Sequence, residues 1–288
     1  MKRRFKEIRF RQASLALIDV CNEIVTEYQD QGLRLTLRQL YYQLVSRNVV
    51  PNTERSYKNV GSLLNDGRLA GLVDWNAIED RVRVPREPPE WGSIQQLVEA
   101  ATAAFRLPRW EGQRYYVELW VEKDALAGVL EPLAREHHVT LMVNRGYSSA
   151  SAMYESARRF EREGADRECR LFYLGDHDPS GEDMVRDIQD RLDLFGADVR
   201  VEKLALTTDQ VRQYRPPPNP AKMSDSRARG YVAQHGAQSW EVDALPPQVL
   251  AGIIRDAFEE VLDRGRMDAV IALEVEQKAK LKKAARNI

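Results

Sequence analysis

Cysteine is scarce: only Cys21 and Cys169 occur in 288 residues, far apart and in unrelated contexts. That excludes a disulfide framework and a C-x-x-C metal pair, and it fits a reducing compartment. Long hydrophobic runs are missing too, because no stretch reaches the roughly 18 apolar residues that a membrane-spanning helix needs. The N-terminus, MKRRFKEIRFRQ, is charged and leads into an amphipathic stretch, not into the apolar centre of a signal peptide. These absences predict a soluble, cytoplasmic protein with no membrane partner. An excess of charge of one sign is also lacking. With 43 Lys and Arg against 44 Asp and Glu, the formal net charge of −1 gives no global case for a nucleic-acid partner. Finally, no G-x-x-x-x-G-K-[ST] phosphate loop is present, so an ATP-driven step would require a second protein.

What is present is locally organised. The length is comfortable for two domains with buried cores. Both ends are basic: Lys2, Arg3, Arg4, Lys6, Arg9 and Arg11 at the start, and Lys278, Lys280, Lys282, Lys283 and Arg286 at the finish. Such runs either neutralise phosphates or stand as solvated faces. From Ser14 to Gln31, the apolar Leu17, Ile18, Cys21, Ile24, Val25 and Tyr28 recur at three- and four-residue spacing, which predicts an amphipathic helix stopped by Gly32. Thr36 and Gln39 form the S/T-x-x-E/Q capping box, so a second helix is expected from Leu37 to about Arg47, through "RQLYYQLVSR". A third begins near Asn52 or Thr53, with Tyr57, Val60, Leu63 and Leu64 inward and Arg55, Lys58 and Arg68 interspersed. "GLVDWNAIEDRVRVP" can then supply a small wing. Three short helices and a hairpin-like tail match a winged helix-turn-helix, in which basic residues track phosphates; a three-helix protein-interaction module has the same pattern.

Prolines and glycines between 85 and 112 mark a connection around a short helical piece. Beyond it, "YYVELWVE" (115–122), "VTLMVN" (139–144), "CRLFYLGD" (169–176) and "VRVEKLAL" (199–206) are short β-prone runs separated by helical stretches. Alternating strands and helices imply a parallel sheet covered on both faces, with its chemistry at the carboxyl ends of the strands. The first strand ends at Glu122, and the third ends in "LGDHDPSGEDM", where Asp176 and Asp178 share one side of an extended segment. Three carboxylates so placed repel one another unless a cation shares them, and an oxygen-only set suits Mg²⁺. The structural alternative is that Glu122 pairs with Lys123 while the two aspartates make turn and cap hydrogen bonds before Pro179. His177 is expected to be a loop residue.

In this order, "RQLYY", "VEKDAL" and "DHDPSG" resemble the A subunit of DNA topoisomerase VI and the related meiotic double-strand-break proteins; the glutamate and D-x-D pattern is that of Toprim domains, shared with primases and several nucleases. "NRGYSS" (144–149) stands loosely in the place of the family's glycine-bearing turn. The match covers most of residues 35 to 210, and the chain's length is similar to that of the reduced, mini-A members of the family. The resemblance implies an α/β protein with an N-terminal mainly helical domain: a winged helix-turn-helix at 1–87, a linker at 88–112, a Toprim-like parallel-sheet domain at 113–207 and a mainly helical C-terminal extension at 208–288. It implies that Tyr42 is the nucleophile attacking duplex DNA with Arg38 beside it, and that Glu122, Asp176 and Asp178 hold Mg²⁺, for which Mn²⁺ substitutes. It also implies a homodimer on double-stranded DNA, with the protein nucleoid-associated, and a separate ATPase B-type subunit for strand passage. Arg55, Lys58, Arg68, Lys123, Lys222 and Arg227 are candidate DNA contacts.

The residues themselves support part of this. On a helix Arg38 and Tyr42, four apart, share a face, whereas Tyr41 points elsewhere and is expected to pack. A free phenol has a pKa of about 10 and attacks poorly at neutral pH unless a base or positive charge helps it. Glu241 and Asp243 are a weaker possibility for a second metal site. Two alternatives to tyrosyl transfer stay open: a metal-dependent nuclease whose nucleophile is water, and a non-catalytic winged-helix DNA-binding protein.

Overall fold

The computed structural model describes residues 1–78, 88–144 and 146–285. Its first part is a three-helix unit: α1 (Gln12–Gln29), α2 (Leu37–Ser46) and α3 (Glu54–Leu69). The spacing expected for α1 puts Ile18, Cys21, Ile24, Val25 and Tyr28 inside. The capping box of α2 forms in both directions: Thr36 Oγ1 accepts from Gln39 N at 3.3 Å and Gln39 Oε1 accepts from Thr36 N at 2.8 Å. Thr53 caps α3 in the same way, accepting from Ser56 N at 3.1 Å. Leu40, Leu44, Val60 and Leu64 close a common core with α1. Most of the segment read as a wing, residues 79–87, lies outside the described residues; before it, Leu35 pairs with Ile78 in a lone parallel bridge.

The connection expected at 88–112 is more than a tether. It contains α4 (Ile94–Ala104), followed by a loop whose Leu107 N donates to Glu274 Oε2 at 3.0 Å and whose buried Trp110 donates from Nε1 to the His137 carbonyl at 2.7 Å. Glu274 belongs to α11 (Arg264–Ala285), so the two ends of the second half meet here.

The second half is built on four strands, β1 (Tyr115–Val121), β2 (Thr140–Val143), β3 (Glu168–Leu174) and β4 (Val199–Ala205), all parallel in the order β2-β1-β3-β4. Three helices make the crossovers: α5 (Ala127–His137), α6 (Ala150–Glu163) and α7 (Pro179–Leu194). Alternation divides each strand between two cores. Val117, Leu119, Val121, Phe172 and Leu174 face one side; Trp120, Leu171 and Tyr173 face the other, with Met153, Phe160, Met184 and Ile188 of α6 and α7. The first side is closed by α5 and by α10 (Pro247–Val261), whose Leu250, Ile254 and Phe258 are wholly buried there. The stretch expected as an extension therefore supplies part of the sheet's own core. Between them, α8 (Thr208–Tyr214), a short antiparallel pair β5 (Asn219–Pro220) and β6 (Gln238–Ser239), and α9 (Ala228–His235) cross the carboxyl edge of the sheet. Among the described residues, no helix is long and apolar enough to cross a membrane.

The topology itself points to a place. From β1 the chain moves to one neighbour, β2, and then crosses to the other side at β3, so the direction of winding reverses between β1 and β3. A crevice opens at such a switch point, outside the carboxyl ends of the two strands.

Candidate active site

Glu122 and Asp176 stand at that switch point. Glu122 N donates to the Leu174 carbonyl at 2.9 Å, continuing the sheet by one residue, and Glu122 Oε2 accepts from Asp176 N at 3.1 Å. Asp178 ends the same segment as the N-cap of α7, accepting from Gly181 N at 2.6 Å and from Ser180 Oγ at 2.8 Å. Pro179 follows at the first helical position, where its missing N–H costs nothing. Gly181 is required by space: a Cβ there would sit 2.1 Å from the Asp176 carbonyl oxygen. The sequence DHDPSG thus encodes a tight strand-to-helix turn that presents Asp176 and Asp178 to one cavity. Asp178 does make the cap bond of the structural alternative, and it lines the cavity as well.

That cavity, of about 420 Å³, lies between the helical unit and the sheet. Arg38, Tyr41, Tyr42 and Tyr57 reach it from α2 and α3, and Asn219, Trp240 and Glu241 reach it from the segment crossing the sheet edge. Arg38 lies 5.8 Å from the centre of the Tyr42 ring, as their four-residue spacing predicts. Tyr41 also lines the cavity instead of pointing away. Its hydroxyl is committed to the 51–53 loop, accepting from Thr53 N at 2.8 Å, and its ring packs edge-on against Tyr57 at 5.4 Å.

The two units are joined by charges that the sequence did not reveal as partners. Arg38 Nη2 donates to Glu241 Oε2, and Arg38 Nε lies 3.0 Å from Asp243 Oδ2, an ion pair without hydrogen-bond alignment. Lys123 Nζ is 2.8 Å from Asp176 Oδ2, 2.9 Å from Glu241 Oε2 and 3.1 Å from Asp243 Oδ1. Expected as a DNA contact, Lys123 is here an internal counter-charge to three carboxylates. Glu241 and Asp243, considered only for a second metal site, are the anions that tie α2 to the sheet. Their one sequence signal was the E-x-D spacing in "SWEVDAL".

Burial sets the electrostatics. It pushes the Asp176 carboxyl up to about 7, with Lys123 pulling the other way and Glu122 and Asp243 adding to the rise. Tyr42, 4% exposed, is pushed above the ordinary phenol range by burial, then by Glu241 and Asp243, against the opposing pull of Arg38. Its hydroxyl hydrogen-bonds to Glu241. Glu241, which burial alone would raise, is held down to about 2 by Lys123 and Arg38.

His177 is no surface loop residue. It is 2% exposed, bonds through Nδ1 to Glu182 Oε1 at 2.5 Å, and stacks on Trp240 at 5.7 Å. Its backbone exchanges two hydrogen bonds with that of Trp240, at 2.8 and 2.9 Å. The remaining candidates are dispersed. Arg55 is exposed on α3; Lys58, also exposed, pairs with Glu54 at 2.7 Å; Arg68 Nη2 donates to the Ile78 carbonyl at 2.7 Å. Lys222 is exposed and lines the cavity, whereas Arg227 pairs with Asp183 at 3.0 Å and Asp225 at 2.9 Å. In "NRGYSS", Arg145 lies outside the described residues, and Ser149 caps α6.

The donor set suits Mg²⁺ by its chemistry. Glu122, Asp176 and Asp178 are hard oxygen donors, and one oxygen of each is fixed by a backbone N–H: Asp176 N to Glu122, Val242 N to Asp176 at 2.9 Å, and Gly181 N to Asp178. Asp176 Oδ2 is the oxygen now shared with Lys123.

No protein-family model matches the chain, and no curated protein matches it as a relative.

Proposed function

We propose that the protein is a DNA-cleaving enzyme of the topoisomerase VI A-subunit kind, in which Tyr42 attacks a phosphodiester beside a Toprim-like Mg²⁺ site. The observation carrying this is that Tyr42 and Arg38, from α2, line the same cavity as Asp176 and Asp178, more than 130 residues later, at the switch point of a parallel sheet.

In the proposed step, a bond forms between the Tyr42 oxygen and phosphorus, and the bond from phosphorus to one sugar oxygen breaks. That oxygen takes up a proton, and the strand end is left joined to the protein as a phosphotyrosine. Bound Mg²⁺ would supply charge neutralisation at the phosphate, held by Glu122, Asp176 and Asp178. Arg38 would orient the phosphate. The phenol proton points toward Glu241, but that carboxylate keeps a proton poorly while Lys123 and Arg38 are paired with it. Transfer of Arg38 from Glu241 to an incoming phosphate would therefore both position the substrate and restore the basicity of Glu241. A homodimer straddling duplex DNA and a separate ATPase subunit for strand passage complete the proposal.

One observation favours a second assignment, a nuclease using water. The Tyr42 phenol is made harder, not easier, to ionise by its surroundings. The two separate cleanly when supercoiled plasmid is incubated with protein and Mg²⁺ or Mn²⁺ and the reaction is stopped with detergent. Tyrosyl transfer leaves protein-bound ends that Tyr42→Phe abolishes; free ends, undiminished in Tyr42→Phe, would leave the nuclease.

A further inference from the structure

We infer that the cavity takes an unpaired nucleotide, so that the strand to be cut enters it single-stranded, as an overhang or a melted segment, and not as part of an intact duplex. This rests on the cleavage proposal above and specifies its substrate.

The first reason is access. Tyr42 is 4% exposed, and a phosphate can meet its hydroxyl only by entering the cavity. At about 420 Å³ the space is that of a small-molecule pocket, which fits one nucleotide. A duplex carries its phosphates on the outside of a stiff, wide cylinder, and base chemistry in buried sites is reached by extruding one nucleotide.

The second reason is the lining. Tyr57 and Trp240 present aromatic surface from opposite units, and both are held rigid. Trp240 is stacked on buried His177 and bonded to it along the backbone; Tyr57 is braced edge-on by Tyr41. Rigid aromatic rings on which bases stack are how proteins bind single strands without reading sequence. Asn219 places a side-chain amide and Ser239 a hydroxyl in the same lining.

The third reason is charge. The lining holds two cations, Arg38 and Lys222, against the carboxylates of Glu54, Asp176, Asp178 and Glu241. Such a surface cannot neutralise the many phosphates of a duplex. It can accept one phosphate with a divalent cation, and most of the affinity must then come from stacking. Binding by stacking depends weakly on salt, whereas six to ten phosphate contacts cost roughly a thousandfold or more in affinity between 50 and 200 mM salt.

Fluorescence anisotropy of the full-length Asp176→Asn protein in Mg²⁺ tests this without cleavage. The probes are a labelled 12-nucleotide thymidylate strand, a blunt duplex of the same length, and that duplex with a single-stranded overhang. The strand and the overhang should bind at least tenfold more tightly than the blunt duplex, with only a few-fold loss from 50 to 200 mM salt. Adding Tyr57→Leu should weaken strand binding about tenfold; Trp240→Ala should do the same and Trp240→Phe should largely restore it. Equal or tighter binding of the blunt duplex, or no loss in a folded Tyr57→Leu protein, would overturn the inference. Failure of the cleavage proposal looks different: strand preference intact, but no Tyr42-linked ends from plasmid. Tyr42-linked ends on blunt duplex with no strand preference would mean the reverse.

Discussion

Two buried carboxylates on neighbouring strands of one sheet are handled in opposite ways. Glu118, in the middle of β1, is wholly buried and saturated: Arg159 donates to it from Nε at 2.6 Å and Nη2 at 2.8 Å, and Tyr116 Oη and Trp120 Nε1 each donate at 2.8 Å. Asp176, just past the end of β3, shares one lysine with two other acids, lies near Glu122, and has its pKa pushed up by burial. A buried charge with complete partners is scaffold. A buried charge crowded by like charges, at the edge where a sheet opens, is held in a state that another cation or a proton would relieve.

Breaking the first of these should have the largest effect. Glu118→Ala leaves the Arg159 guanidinium, Tyr116 hydroxyl and Trp120 indole facing an apolar core, and should cost about 3 to 5 kcal/mol of stability in chemical denaturation. Any protein that remains folded should keep its cleavage activity per molecule. Asp176→Asn should invert the pattern. Removing one of several crowded negative charges should change stability by less than about 1 kcal/mol, while cleavage of plasmid falls about 100-fold, some 2.7 kcal/mol of barrier. If the two substitutions behave alike, the distinction between scaffold and site fails.

The sequence made one side of this comparison easier to see than the other. Glu122, Asp176 and Asp178 stand out because strand runs end at them, and strand ends are legible from apolar alternation: the four β-prone runs correspond to β1–β4 within two residues at each end. The capping box of α2 was equally local and equally visible. What stayed hidden was set by partners far along the chain. Arg38 meets Glu241 across 203 residues, and Lys123 meets Asp243 across 120, leaving no periodic trace. Nor does the amphipathic pattern of α10 say which surface it covers. Its burial against the sheet, and the packing of α4 near α11, are decided by topology, which a repeat of apolar positions does not carry. His177 was misplaced for a related reason, since its burial comes from Trp240, 63 positions away.

A third carboxylate lies between the two extremes and sharpens the comparison through pH. Glu182 on α7 is about one third exposed; burial would raise its pKa, but His177 and Lys203 together hold it down to about 2. Its Oε1 accepts from Lys203 Nζ at 2.7 Å, and the same ammonium donates to the Asp176 carbonyl at 2.8 Å, so the group braces the D-x-D turn from below. The folded-state pKa is below the ordinary 4.5, so the stabilisation is complete above that value and is lost as pH falls from about 4.5 toward 2. Because solvent screens a partly exposed pair, the size should be about 1 kcal/mol, well under that of Glu118. Glu182→Gln should therefore lower the unfolding midpoint slightly at pH 7 and flatten the loss of stability on acidification, in urea titrations from pH 6 to 3. An acid limb as steep in the variant as in the parent would assign that limb to other groups and leave Glu182 as a neutral spacer under the turn.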